Sequence, residues 1–301
     1  MGFLICDTGI PEPQNQIIEV HDFFMPSLRI FFINQNQIIM KKIMLLLCAA
    51  AFLAVSCDKE PDPTPAVPAN PSDTTQTEYP PTADVIYNAV TDYDGNSYDA
   101  VRIGSQVWMA SNLRTTKYAD GTSISQGSST SNWYYPNNNS SNKPTYGLLY
   151  NWKAVMRNSS SSYSNPSGVQ GICPTEWHVP SDAEWTQLTD YVSSQSEYVC
   201  GSDSTYIAKA LAGTTGWSSS TNTCAVGNTP SQNNSTGFSA LPAGLYDGDY
   251  LDFGDYALFW SATERNSDFA YNRTLGYDYA GVSRGNYFTK YLGFSVRCVR
   301  D

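Results

Sequence analysis

The sequence predicts a single α+β domain over residues 84–301, with short helices, a small antiparallel sheet and long loops, tied by disulfides. Three observations lead to this prediction: hairpin patterns near the start of the domain, short amphipathic stretches in its middle, and an alternating apolar stretch at its end. A length of about 218 residues suits one domain.

The first predicted elements are hairpins. In "DVIYNAVTDYDGNSYDAVRIGSQVWMA" short β-branched and aromatic runs are separated by turn residues, at Asp94-Gly95-Asn96 and again at Gly104-Ser105. Because Gly and Asn accept the backbone conformations that tight turns need, both positions predict a reversal of the chain between two strands.

Three short helices are predicted in the middle of the domain. Apolar residues recur at spacings of three and four in "YGLLYNWKAVM" (146–156) and in "SDAEWTQLTDYVSSQ" (181–195). In the second stretch Ser181 is the expected N-cap and Glu184 completes a capping box. The third stretch, "TYIAKALAG" (205–213), ends on a glycine, as many helices do.

The end of the domain is predicted to be a strand. In "YLGFSVRCVRD" the apolar Phe294, Val296 and Cys298 alternate with Ser295 and Arg297. Apolar residues near both ends of the domain, few helices and long polar loops indicate a fold that is closed by its own termini.

The N-terminal region carries a targeting pattern. From Met40 the chain reads "MKKIMLLLCAAAFLAVSC", with two lysines followed by an apolar run that is too short to span a bilayer. Residues 40–56 resemble a bacterial lipoprotein signal peptide, whose next residue, Cys57, is acylated (palmitate is one such chain) and becomes the mature N-terminus. We interpret residues 1–39 as sequence upstream of the true start codon.

Residues 57–83 are predicted to be a lipidated, proline-rich tether. The acidic "DKEPDP" after Cys57 resembles the export tag of surface lipoproteins in Bacteroides-type bacteria, so we expect a lipid anchor in the outer membrane with the domain exposed at the cell surface; the periplasmic face is the alternative. The net charge of −11 repels phosphate backbones and argues against a nucleic-acid partner.

The cysteines predict a disulfide framework. Of the seven in the chain, two lie in segments expected to be lost and Cys57 is the lipid site. Cys173, Cys200, Cys224 and Cys298 remain, an even number in an oxidising compartment, and they can pair in three ways. We favour Cys173 with Cys298, which ties the end of the domain to its middle, and Cys200 with Cys224, which closes a local loop.

Six segments of the domain follow one another in a recognisable order: "TDYDGNSYDAVRIGSQVWMASNLRTTKYADGT", "YGLLYNWKAVM", "CPTEWHVPSDAEWTQL", "AKALAGTTGW", "TGFSALPAGLYDGDYLDFGDYALFWSAT" and "GFSVRCVRD". Over residues 86–301 they resemble the Fibrobacter succinogenes major paralogous domain family, whose members are typically lipid-anchored or secreted. The order is also similar to that of the C-type-lectin-like fold shared with the formylglycine-generating (sulfatase-modifying) family. This resemblance implies that Cys173–Cys298 is the lectin-like bridge from helix to last strand.

Two segments are candidates for ligand binding. In "SNWYYPNNNSSN" the rings of Trp133, Tyr134 and Tyr135 lie in a polar stretch without the periodicity that would bury them. Exposed rings stack on sugar pyranose faces, which makes these residues candidates for ligand binding; the other interpretation, which we rank first, is that the three rings fold back on one another. "GDYLDFGDYALFW" and "NYFTKY" add aromatic residues to the same surface.

The acidic stretch "DGDYLDFGDY" is the candidate metal site. It places Asp247, Asp249, Asp252 and Asp255 on one predicted loop, and calcium prefers several carboxylate oxygens. The spacing differs from that of an EF-hand, and a solvated turn is the alternative. Calcium is the one cofactor that the sequence allows for.

No catalytic residue is predicted. His178 is the one histidine after Cys57, so a histidine-rich zinc site is excluded, and we interpret His178 as a packed, hydrogen-bonded residue next to a capped helix rather than a base.

The sequence thus predicts a non-enzymatic recognition module, anchored at the cell surface, that binds a glycan or a host or matrix partner. We expect the loops of residues 125–145 and 245–291 to form its contact surface. A structural or accessory subunit of a cell-envelope or adhesive assembly is the alternative function. An enzyme on a sulfatase-modifying scaffold is a third.

Overall fold

The computed structural model describes residues 83–127 and 130–301, which form an α+β domain as the sequence predicts. The strands are β1 (Asp84–Thr91), β2 (Ser97–Ile103), β3 (Gln106–Met109), β4 (Ser125–Gln126), β5 (Asn132–Tyr134), β6 (Leu149–Tyr150), β7 (Leu245–Tyr246), β8 (Tyr250–Leu251), β9 (Tyr256–Glu264), β10 (Phe269–Gly276), β11 (Ser283–Thr289) and β12 (Val299–Arg300). The helices are α1 (Lys143–Tyr146), α2 (Trp152–Met156), α3 (Asp182–Ser194) and α4 (Ala208–Leu211). In this part of the chain no helix has the length and apolar character needed to cross a membrane.

The strands form four small sheets rather than the single sheet that the sequence predicts. One has the order β1-β2-β3-β12 and a second the order β11-β10-β9, both antiparallel. β4-β5-β6 and β7-β8 are the others. The first and last strands of the domain lie in the same sheet, so the domain is closed by its termini.

The two predicted hairpin turns are confirmed. Between β1 and β2 the Asp92 carboxylate accepts hydrogen bonds from the backbone N–H groups of Asp94 and Asn96, and Gly95 has a φ of +83°. Between β2 and β3 the turn lies at Gly104, where φ is +62°. Both glycines occupy the left-handed region that a Cβ disfavours.

The larger sheets separate two hydrophobic cores. The first core contains Trp260, Phe294 and the disulfide Cys173–Cys298, and the second contains Trp108 and Phe259. Successive residues of β3 and β9 point alternately into the two cores. A strand that is buried on both faces reads as a continuous apolar run, which explains "YALFW" in β9; these rings are in the cores and not in a loop.

The helices differ in how well the sequence predicted them. α3 begins as expected, because the Ser181 side chain accepts from the Glu184 N–H and the Glu184 side chain accepts from the Ser181 N–H. The predicted helix over 146–156 is wrong in its first half. Gly147 has a φ of +76°, which ends α1 and sets the chain into β6, and Asn151 then caps the five residues of α2.

The terminal segment, residues 293–300, is not one continuous strand. It makes a single bridge to each of three sheets, through Gly293, Phe294 and Ser295, and then pairs with β3 as β12. The segment stays extended as it crosses from sheet to sheet. Its residues alternate between apolar and polar because successive side chains face the two different cores on either side of it.

Arg297 lies in this segment with its side chain fully buried. Its Nε is 2.8 Å from Asn112 Oδ1, and its terminal nitrogens donate to the carbonyls of Met109, Phe238 and Ser239. The guanidinium also lies 4.5 Å from the Phe238 ring centroid, within cation–π range. One side chain therefore satisfies buried acceptors from distant parts of the sequence.

Two disulfides are present, Cys173–Cys298 and Cys200–Cys224, which is the favoured pairing. The first joins residues 125 positions apart and in the chain-entropy model contributes about 5 kcal/mol. It holds the terminal segment next to the helix that Ser181 caps.

A second buried arginine connects α3 to the sheet of β9, β10 and β11. Arg273 donates to Asp182 Oδ1 at 2.6 Å, and the more exposed Arg284 donates to Asp182 Oδ2 at 2.6 Å. Burial alone would raise the pKa of the Asp182 carboxyl, but hydrogen bonds from Arg284 and Arg273 outweigh it and hold this pKa below its usual value.

We predict that Arg297→Met lowers the free energy of unfolding by at least about 3 kcal/mol, because each buried acceptor that loses its donor costs about 1–3 kcal/mol. Urea unfolding followed by tryptophan fluorescence measures the loss. The control is Arg265→Met, which removes an exposed guanidinium lying 4.1 Å from the Tyr287 ring centroid and should cost less than about 1 kcal/mol. Equal losses in the two variants would contradict the role given to Arg297.

We also predict that acid removes the stabilisation due to Asp182. A carboxyl whose pKa is depressed in the folded state stabilises the fold above its unfolded pKa, about 3.9, and loses that contribution as the pH falls through the folded value. Asp182→Asn should therefore be less stable than the wild type at pH 7, by about 1.5–3 kcal/mol, and this difference should shrink progressively as the pH falls below about 3.9. A difference that stays constant with pH would refute the prediction. Asp268→Asn, which changes an exposed carboxylate, is the control.

Candidate ligand-binding surface

A hairpin late in the chain presents two tyrosines on one face. β7 and β8 pair Tyr246 with Tyr250, and Gly248 in the turn has a φ of +73°. Directly paired residues share a face of the hairpin, and the two ring centroids are 5.1 Å apart in an edge-on arrangement.

This hairpin packs on β5, the strand that contains the first candidate segment. The ring of Tyr246 stacks on that of Tyr134, with centroids 3.8 Å and planes 16° apart. Tyr246 and Gly293 also exchange two backbone hydrogen bonds, 3.0 and 2.8 Å long. The two segments that the sequence proposed for ligand contact are therefore neighbours, although more than 100 residues separate them.

The prediction of exposed rings is wrong for two of the three aromatic residues. Trp133 is 7% exposed and Tyr134 is 6% exposed, because they lie in a strand and not in a loop. Trp133 Nε1 donates to the Ile124 carbonyl at 3.0 Å. Tyr135, which is half-buried, packs edge-on against Trp133 with centroids 5.0 Å apart. The alternative, in which the rings pack on one another, describes this segment better.

The four aspartates do not converge on a metal site. Asp247 and Asp249 are exposed in the hairpin turn, whereas Asp252 and Asp255 belong to the following turn and are half-buried. Burial, and then the charge of Asp255, raises the pKa of Asp252. Among residues 83–127 and 130–301, no three of these four carboxylates approach within metal-binding distance. The structure therefore does not gather the four carboxylates at one place, and calcium binding on this loop stays a prediction.

Two asparagines lie beside the hairpin. The short 3₁₀ turn Pro136–Asn138 lies next to β8. Asn137 and Asn138 both have a φ of +51° and are exposed. Asn is among the few residues that accept the left-handed region, so the sequence "PNN" determines this turn.

We call the group Asn137, Asn138, Tyr246, Asp247, Asp249 and Tyr250 the tyrosine–aspartate surface. Burial, followed by the neighbouring phenols of Tyr246 and Tyr134 and the charge of Asp249, raises the pKa of Tyr250. Its phenol therefore stays protonated at neutral pH and can donate a hydrogen bond. The carboxylates accept hydrogen bonds, the amides donate and accept them, and the ring faces provide stacking contacts. This combination suits the surface of a sugar or of a polar peptide.

The remaining predicted residues lie elsewhere. His178 Nε2 is 2.5 Å from Glu184 Oε1, so its ring is packed and hydrogen-bonded as interpreted. The lipidation residue Cys57 lies outside the described residues. Tyr246 lies within the predicted contact range 245–291 but was not named individually; its signal was the spacing of two tyrosines around "DGD", which is typical of a three-residue hairpin loop.

We predict that Tyr134 and Tyr250 differ strongly in their contribution to stability. Tyr134→Ala removes a buried, stacked ring and should lower the free energy of unfolding by about 3 kcal/mol. Tyr250→Ala removes a half-exposed ring at the rim and should cost about 1 kcal/mol or less. Urea unfolding of both variants measures the difference, and similar losses would mean that Tyr250 is a core residue.

A family model described as Fibrobacter succinogenes major domain matches residues 101–300, which confirms the family predicted from the six segments. No curated protein and no solved structure matches the chain significantly.

Proposed function

The chain belongs to the Fibrobacter succinogenes major domain family, and we propose that it is a non-enzymatic recognition module that binds a glycan or a host or matrix partner. The observation that carries this proposal is the tyrosine–aspartate surface. It joins two segments, from residues 125–145 and 245–291, and combines partly exposed tyrosine rings, carboxylates and amides at one edge of the domain.

The proposed setting is the outer surface of the outer membrane. Cys57 would carry the lipid, and residues 57–83 would hold the domain away from the bilayer. The periplasmic face is the alternative. Many copies of such a tethered module on one surface would bind a multivalent partner with higher overall avidity, because each further contact forms at a high effective concentration.

We further propose that the domain has a C-type-lectin-like fold. Three features support it: the first and last strands share one sheet, Cys173–Cys298 joins the end of the domain to the segment before α3, and long polar loops connect the remaining elements. Fold alone does not fix function, so the ligand proposal rests on the tyrosine–aspartate surface.

The disulfides favour binding over catalysis. The four cysteines of the described residues are joined in pairs, and a bridged sulfur is not a nucleophile. An enzyme of the sulfatase-modifying type would need reactive cysteines, so we rank this function below recognition.

A structural or accessory subunit of an adhesive assembly is the second candidate. The observation that favours it is a set of exposed rings on and after the edge strand β11, where Tyr287 is 71% and Tyr291 is 64% exposed. Exposed aromatic residues are enriched at protein interfaces.

The test is binding of the full chain to an array of glycans and matrix proteins, with Tyr250→Ala as the variant. We expect Tyr250→Ala to lose about five- to thirtyfold in affinity, because a stacking ring contributes on the order of 1–2 kcal/mol, while its melting temperature changes little. Tyr93→Ala removes a ring of the same size in the β1–β2 turn, where Tyr93 is more exposed than Tyr250, and this variant should bind as the wild type does.

Two outcomes would count against the proposal. If Tyr250→Ala binds normally, the contact surface lies elsewhere on the domain. If the wild type binds neither a glycan nor a matrix protein but co-purifies with envelope proteins, the assembly function replaces recognition.

A further inference from the structure

A second site lies far along the sequence from the tyrosine–aspartate surface. His178, Glu184 and Asp301 each bring one ligating atom to a place where the three atoms lie within 4.8 Å of one another. They come from three parts of the chain: the segment before α3, the first turn of α3, and the residue after β12.

Glu184 is fixed at this place. Its side chain is fully buried, and its Oε2 accepts hydrogen bonds from the backbone N–H groups of Ser181, at 2.8 Å, and Ser167, at 3.0 Å. The second oxygen, Oε1, is directed at His178 Nε2, 2.5 Å away. A carboxylate oriented by two backbone donors is typical of a preorganised metal ligand.

His178 is placed by the terminal strand. Its N–H and carbonyl exchange hydrogen bonds with the carbonyl and N–H of Val299, both 3.0 Å long. Because Val299 is two positions before Asp301 in the sequence, this pairing brings the His178 ring close to Asp301. The side chain of His178 remains partly accessible, at 12% exposed. The site is therefore reached from solvent on the side of Asp301, which is exposed.

The charges at this place favour a cation. Two carboxylates and one imidazole lie together, and like charges that share a site repel each other unless a positive charge intervenes. The nearest arginine in the sequence, Arg300, has its guanidinium over the Trp177 ring, 5.1 Å from the centroid.

We propose that His178, Glu184 and Asp301 bind a divalent transition-metal ion of the zinc class. One imidazole nitrogen and two carboxylate oxygens form a donor set that zinc accepts, with water completing the tetrahedron. Calcium and magnesium prefer oxygen ligands alone. Tetrahedral ligand bonds of about 2 Å separate neighbouring ligand atoms by about 3.3 Å, so the imidazole moves away from Glu184, now 2.5 Å distant, by roughly 0.8 Å when the ion enters.

Binding would connect Asp301, the residue after β12, to the first turn of α3. The ion is therefore a stabilising element, and its effect on unfolding does not depend on whether the domain recognises a glycan. Metals that bind the folded state and not the unfolded state raise the melting temperature.

The test uses zinc chloride and the full chain, first stripped with a chelator. Equilibrium dialysis followed by elemental analysis should show about one zinc per chain, and the melting temperature should rise with zinc but not with calcium. Asp301→Asn, which changes an exposed side chain, should fold normally and bind zinc at least about tenfold more weakly.

Two further variants make the result decisive. His178→Gln keeps a hydrogen-bond donor for Glu184 but removes the imidazole, and should abolish both the binding and the rise in melting temperature. Asp268→Asn, a second exposed carboxylate, should behave as the wild type. Absence of bound zinc in the wild type overturns the proposal, and so does zinc binding that is the same in Asp301→Asn as in Asp268→Asn.

Discussion

The arrangement of the domain depends on the hydrogen bonds that the buried guanidinium of Arg297 donates. Its acceptors, the carbonyls of Met109 and Phe238 among them, come from separate elements, and a buried carbonyl without a donor is costly. The adjacent Cys298 faces the first core, whereas Val299 faces the second. Hydrophobic contacts can be repacked in many ways. By contrast, these carbonyls receive their hydrogen bonds only when the terminal segment lies between the two cores in the one position that brings Arg297 within reach of all of them.

The second constraint is the multiple use of Glu184. The same carboxylate caps α3, accepts the N–H of Ser167 and contacts His178. A helix N-terminus has unsatisfied donors and favours a nearby negative charge, so burying this glutamate is less costly here than elsewhere. At the same end of the helix, Asp182 binds Arg273. α3 is thus positioned by polar groups at its start as well as by its apolar face, where Trp185, Leu188 and Val192 lie in the second core.

Local patterns were predictable and contacts between distant segments were not. The turns at Gly95 and Gly104 and the capping box of Ser181 depend on neighbours a few residues away, and their chemistry is visible in the sequence. Trp133 was misread because strands of three residues carry no measurable periodicity, and its burial is decided by Ile124 and by β6. The convergence of His178 with Asp301 likewise depends on the pairing of β12, which no local pattern specifies.

The candidate surface follows from the same terminal segment. Gly293 pairs with Tyr246, and a Cβ at this position would lie 3.0 Å from the Tyr134 ring and 3.0 Å from Tyr246 Cβ, closer than side chains normally approach. A side chain at position 293, four residues before Arg297, would therefore press on both Tyr134 and Tyr246, so glycine favours their stacking. In "GFSVRC", Gly293 leaves room for the two tyrosines of the surface, Arg297 donates to buried carbonyls, and Cys298 forms the disulfide with Cys173. The hairpin that presents Tyr250 is consequently held, through the backbone hydrogen bonds of Tyr246 with Gly293, to the same terminal segment that Arg297 and Cys298 fix in the interior.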